Sequence, residues 1–171
     1  MGRSFISFIA LSGLVELFAG PANGGNNPDM AAPELSVVTA DSVFGEIGQT
    51  GNDNNASLQQ NGIGLYASVD QSGSRNVSVT RQQGSQQFYS LRQSGDDNYA
   101  YLQQGGSQNS ASVIQSGSEN ASYITQSGTQ NRALVEQAGN FNIATVIQSG
   151  SGANAVVRQY GDRGTATVVQ Y

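Results

Sequence analysis

Glutamine stands at every eleventh residue over most of the chain: Gln49, Gln60, Gln71, Gln82, Gln93, Gln104, Gln115, Gln126, Gln137, Gln148, Gln159 and Gln170. No insertion or deletion breaks this register. A stacked repeat keeps such a period because each unit must sit on its neighbour in the same way. Taking the leading Gln as position zero, position 2 is always glycine: Gly51, Gly62, Gly73, Gly84, Gly95, Gly106, Gly117, Gly128, Gly139, Gly150 and Gly161. Position 5 is Asn54, Asn76, Asn98, Asn109, Asn120, Asn131 and Asn142, with Leu65, Gln87, Ala153 and Gly164 interrupting the series. Position 7 is small and usually Ala, with Tyr89 as the exception. Position 9 is Leu, Ile or Val, with Thr80 as the exception. The unit reads Q-x-G-x-x-N-x-A-x-[LIV]-x-Q.

Positions 5, 7, 9 and 11 alternate with 6, 8 and 10, which is the strand period. Asn, Ala, the aliphatic residue and Gln form the inward set, and mixed residues face out. The Gly with its Ser, Asn and Asp neighbours marks a turn. Each unit is therefore predicted as a strand of six or seven residues and a turn of about four. Two units close a coil of twenty-two residues, and the twelve strands make six coils with a rise of about 4.8 Å each. The expected fold is all-β: a two-sheet β-solenoid of six stacked coils, competent for cross-β assembly. Buried Asn and Gln need partners. Identical residues one coil above and below supply them, forming amide ladders of the kind seen in cross-β stacks. Gln49 and Gln170, at the two ends of the series, are expected to meet the next subunit.

Composition agrees with a thin, ladder-stabilised core: only 37% of the residues are hydrophobic. There is no Cys and no His, so thiolate and imidazole chemistry are excluded. The carboxylates are scattered over the turns, so no catalytic or metal site, no cofactor and no small-molecule substrate is expected. A net charge of −5 argues against nucleic-acid binding. All three Pro lie at Pro21, Pro28 and Pro33, ahead of the repeats, as strand hydrogen bonding requires. Residues 1–22, with Arg3 before an apolar run from Phe5 to Phe18, read as a secretory signal. Residues 23–41 read as a disordered Gly/Asn-rich leader, and 42–171 as the repeat domain.

Outward charges alternate in sign from coil to coil. Asp70 precedes Arg92, Glu136 precedes Arg158, and Asp53, Arg75 and Asp97 follow one another. These favour the native register over a slipped one. Asp96 and Asp97 share one turn, where like charges repel, and are read as gatekeepers that slow premature aggregation. Tyr66 with Phe88, and Tyr101 with Tyr123, are expected to stack one coil apart. Neither end of the repeat block carries a polar cap, so both ends are expected to be open edges.

The tandem unit behind a signal and a Gly/Asn-rich leader resembles the curlin repeat of bacterial curli fibre subunits over residues 43–170. The resemblance implies an extracellular structural protein, not an enzyme. Such subunits are exported and helped across the outer membrane by a secretion pore and chaperones. They assemble with themselves and with other curlin subunits into functional amyloid at the cell surface, serving adhesion and biofilm matrix. The opening IGQTGNDNNASLQQNGIGLYASVDQ resembles the nucleating minor subunit, whereas the regular ending QYGDRGTATVVQY resembles the major fibre subunit. An ice-binding solenoid is the remote alternative. It would need a regular Thr or Ser array on one outer face, and only Thr165 and Thr167 form a local pair.

Overall fold

The computed structural model describes residues 3–11, 13–19 and 42–171. Two N-terminal strands, β1 (Arg3–Leu11) and β2 (Gly13–Ala19), precede the repeats. The repeat block contributes twelve parallel strands to two sheets. One sheet holds β3 (Ser42–Asn52), β5 (Tyr66–Ser74), β7 (Phe88–Asp96), β9 (Ser110–Ser118), β11 (Arg132–Asn140) and β13 (Asn154–Tyr160). The other holds β4 (Asn55–Ile63), β6 (Val77–Ser85), β8 (Tyr99–Ser107), β10 (Ala121–Thr129), β12 (Ile143–Ser151) and β14 (Thr165–Gln170). Consecutive strands alternate between sheets, so each successive pair is one coil and the six coils form a β-solenoid. Every parallel pairing joins residue i to residue i+22, as in Gln71↔Gln93 and Gln104↔Gln126. The twenty-two-residue coil read from the glutamines is the coil observed.

The inward set is as expected. Position 9 supplies the centre of the core with Leu58, Val69, Leu91, Leu102, Val113, Ile124, Val135, Val146 and Val157, and position 7 lines it with Ala. The narrow gap between two sheets of one coil explains why small and medium side chains alternate here. The two exceptions belong together. Tyr89 and Thr80 are both fully buried, on the successive strands β7 and β6 of opposite sheets. The large ring occupies an Ala position where the aliphatic position has shrunk to Thr.

Two features depart from the sequence reading. Strands β4 to β12 are nine residues long, not six or seven, and the turn shrinks to positions 4 and 5. The Gly at position 2 lies inside the strand, and position 4 carries the reversal. Asp53, Arg75, Gln86, Asp97, Gln108, Glu119, Gln130, Phe141 and Arg163 all sit there with φ of 53–59°, in the left-handed region. Such residues are ordinarily disfavoured there. The stack compensates, because the position-4 N–H donates to a carbonyl of the preceding coil, as from Arg75 to Asn52 (2.9 Å) and from Asp97 to Ser74 (2.9 Å).

The second departure is at the N-terminal end. Rather than being open, the first coil is covered: β1 pairs antiparallel with β3 from Arg3↔Thr50 to Leu11↔Ser42, and β2 pairs antiparallel with β4 from Gly13↔Gly62 to Ala19↔Ala56. The leader predicted over 23–41 lies outside the described residues.

Candidate functional site

The strand alternation points each unit's Gln into the interior, and the parallel register places it directly over the Gln of the next coil. Two unbroken columns result. In one, Gln49 donates through Nε2 to Gln71 Oε1 (2.7 Å), Gln71 to Gln93 (2.8 Å), Gln93 to Gln115 (2.8 Å), Gln115 to Gln137 (2.9 Å) and Gln137 to Gln159 (2.8 Å). In the other, Gln60, Gln82, Gln104, Gln126, Gln148 and Gln170 are joined by five bonds of 2.7–2.8 Å. The second N–H of each amide from Gln60 onward donates to a backbone carbonyl sixteen residues back, as from Gln115 to Tyr99 O (2.9 Å). The columns thus tie each coil both to the next one and to the facing strand of the solenoid. Gln49 and Gln170 lie at opposite ends of the block but in different columns. A continued stack would set Gln159 against Gln49, and Gln170 against Gln60.

The asparagines divide unequally. Asn54, Asn76, Asn98, Asn120 and Asn142 form a continuous corner in which each Nδ2 from Asn76 onward donates to Oδ1 of the Asn one coil earlier, all at 3.0 Å. Each of these five Nδ2 groups also donates to a position-2 Gly carbonyl of the neighbouring coil, as from Asn98 to Gly117 O (2.8 Å). Leu65, Gln87, Asn109, Asn131 and Ala153 occupy the opposite corner, where only Asn109 and Asn131 adjoin. Gln87 substitutes by donating to Gln83 O (2.9 Å) and Gly106 O (3.0 Å). The interruptions noted in the sequence therefore fall almost wholly on one corner, and the other ends only at Gly164, whose N–H donates to Asn142 Oδ1 (2.8 Å).

The buried columns have a direct test. Gln115→Leu would leave the second Gln93 N–H and the Gln137 Oε1 without partners. Each orphaned buried group costs about 1–3 kcal/mol, so a loss of roughly 2–5 kcal/mol is expected. The change is read from the denaturant midpoint. Gln103→Leu, at an exposed position of the facing sheet, should stay within about 0.5 kcal/mol.

The outer faces carry the charge pairs. Arg75 and Asp97 form a two-pronged pair, with Nη2 to Oδ2 at 2.6 Å and Nε to Oδ1 at 2.7 Å. Arg158 meets Glu136 at 3.2 Å and Arg92 meets Asp70 at 3.9 Å. The hydrogen bond from Arg75 holds the Asp97 carboxyl below its ordinary range. The pair's stabilisation is therefore present above the usual carboxylate pKa of about 4 and is lost as pH falls through the lowered value. Asp96 accepts from the Ser74 N–H (3.0 Å). The two adjacent carboxylates are thus each engaged with the preceding coil, which offsets the repulsion expected from their proximity in sequence.

Aromatic stacking is found where expected on one row and displaced on the other. Tyr66 and Phe88 stack at 5.0 Å with planes 2° apart, and Phe44 extends the column at 4.9 Å. Tyr101 and Tyr123 are register neighbours, but the Tyr123 ring lies against Tyr99 instead, tilted at 5.6 Å. Tyr101 turns its hydroxyl to Gln103 Oε1 (3.0 Å).

The family model for the curlin associated repeat matches four overlapping stretches of the chain: residues 90–117, 106–139, 119–150 and 128–161. Residues 90–161 are built of curlin associated repeats. Units before residue 90 hold the same two Gln columns and the same coil geometry as the matched ones, so one coil geometry runs through the solenoid. No curated protein and no solved structure matches the chain.

Proposed function

We propose that this protein is an exported structural subunit that self-assembles end to end into curli-type amyloid fibres at the bacterial cell surface, where they serve adhesion and biofilm matrix. The observation that carries this reading is the last coil. β13 and β14 end their sheets with free edges, yet Ala155, Val157 and Gln159 keep the buried inward pattern. Ala166, Val168 and Gln170 repeat it while half exposed. Another coil laid on this face would bury those residues and pair the edge. Such a contact joins two different surfaces and does not close, so it propagates as a filament. Within this proposal, residues 1–22 act as the secretory signal and residues 23–41 as the segment that engages the secretion pore and its chaperones. The bonding partners are other copies and other curlin subunits.

The opening repeat favours the nucleating minor subunit. The regular final coil favours the major fibre subunit as the second reading. Thioflavin T kinetics and fibre diffraction on the purified chain test the proposal. Reflections near 4.8 Å and 10 Å are expected, and a chain that stays monomeric under all conditions would refute it. Seeding of a major curlin subunit at substoichiometric amounts distinguishes the nucleator.

Asp96 and Asp97 are proposed as gatekeepers on the same basis. Because the pair with Arg75 is exposed, Asp96→Ser with Asp97→Ser should leave stability almost unchanged while shortening the assembly lag. An unchanged lag counts against that role.

A further inference from the structure

We propose that β1 and β2 are an intramolecular cap that occupies the edge on which a second copy would dock, so that the chain cannot add a subunit at its N-terminal end while residues 3–19 remain in place. The inference rests on the end-to-end assembly just proposed and adds to it an order of events.

Three observations carry it. First, the cap runs against the grain of the fold. Every repeat strand pairs parallel and in register at twenty-two residues, whereas β1 and β2 pair antiparallel with β3 and β4. Second, the cap covers the edge without satisfying it. Gln49 Oε1 and Gln60 Oε1, in side chains at most 1% exposed, have no hydrogen-bond partner. In every later coil the same oxygen accepts from the Gln before it. Residues 3–19 contain no Gln or Asn, so β1 and β2 cannot continue either column. Third, the missing donors exist at the other end of the molecule. Gln159 and Gln170 each use one amide N–H, toward Ile143 O (3.1 Å) and Asn154 O (3.1 Å), and have no following coil to receive the second.

An amide nitrogen carries two donors, so the last coil of one copy offers two N–H groups where the first coil of another has two orphaned acceptors. Gln159 would donate to Gln49 and Gln170 to Gln60. The columns then run unbroken across the junction, and an orphaned buried acceptor is relieved in each. The antiparallel strands are thus a removable occupant, and a second copy is the partner the edge is built for. A copy that keeps residues 3–19 thus keeps this edge covered, and a copy that folds after losing them exposes it.

The test uses the full chain and a variant in which Ile6→Pro, Ser7→Pro, Leu17→Pro and Phe18→Pro break the cap. Alternate residues of an antiparallel strand point their N–H at the partner, so two successive prolines remove a ladder bond whatever the phase. Amide exchange of the monomer gives the first readout. β3 and β4 should lose protection while β7 to β12 keep theirs, which also shows that the body of the solenoid is folded. Thioflavin T kinetics give the second, with a lag several-fold shorter for the variant. Unchanged exchange at β3 and β4 overturns the cap, and so does faster exchange with an unchanged lag. If neither chain forms fibres, the assembly reading fails and takes the cap with it. If both form them equally fast, only the cap fails.

Discussion

Gly95→Ala is expected to unfold the middle of the solenoid. Gly95 has φ of 105°, a conformation that costs a side-chain-bearing residue about 1–3 kcal/mol. A methyl group there would also lie 2.1 Å from Gly117 O and 2.9 Å from Gly117 C, atoms of the backbone stacked above. Neither can yield without separating the coils, and the separation would lengthen the Asn and Gln bonds on either side. Two other glycines divide the effect into its parts. Gly152 has φ of 73° with open space around it, so Gly152→Ala should show the conformational cost alone. Gly105 has neither constraint, and Gly105→Ala should be neutral or slightly stabilising. Chemical denaturation should rank the three as Gly95, Gly152, Gly105 in decreasing loss. A Gly95 variant no worse than Gly152→Ala would mean that coil spacing is not limited by the glycine column.

Tyr89→Ala is expected to cost about 3–5 kcal/mol, the range for emptying a buried aromatic site. The reason is local. Tyr89 fills the space left by Thr80, so the small residue restored by the mutation faces another small residue. The double variant Tyr89→Ala with Thr80→Leu returns both positions to the repeat pattern and should recover most of the loss. A coupling of about 1–3 kcal/mol is expected for directly packed residues, and strict additivity would refute the pairing. The Thr80 hydroxyl acts on the Tyr89 phenol, yet neither oxygen completes a well-formed hydrogen bond. Tyr89→Phe should therefore be tolerated. Burial pushes the phenol's pKa above its usual value. The folded state resists ionisation that the unfolded chain undergoes from about pH 10, so Tyr89 makes stability fall as pH rises beyond that point. The Phe variant should lack this alkaline component.

The coil and both columns were legible in the amino-acid sequence because identical residues at a fixed spacing report stacking directly. Position 5 was legible too, but its division into one continuous and one broken corner needed the alternation of strands between sheets. The left-handed residues at position 4 were hidden. Asp, Arg, Gln, Glu and Phe alternate there with Gly64 and Gly152, and the cause is a backbone hydrogen bond to the preceding coil, which no side-chain preference reports. The partnership of Thr80 and Tyr89 was visible only as two unrelated exceptions, nine residues apart on different strands. The antiparallel cap left no periodic trace, since residues 3–19 lack the repeat.

The two-strand coil also dictates how such a chain can change in length. One added residue would turn every later side chain to the opposite face, casting the glutamines outward. Eleven added residues would preserve the faces but send each later strand to the other sheet, so the unbroken asparagine corner would cross to the side now interrupted by Leu65 and Gln87. Twenty-two added residues alter neither. Growth by duplication that keeps the asparagine corner intact is therefore quantised at one full circuit, and variants differing in length by whole coils should be more stable than those differing by half a coil.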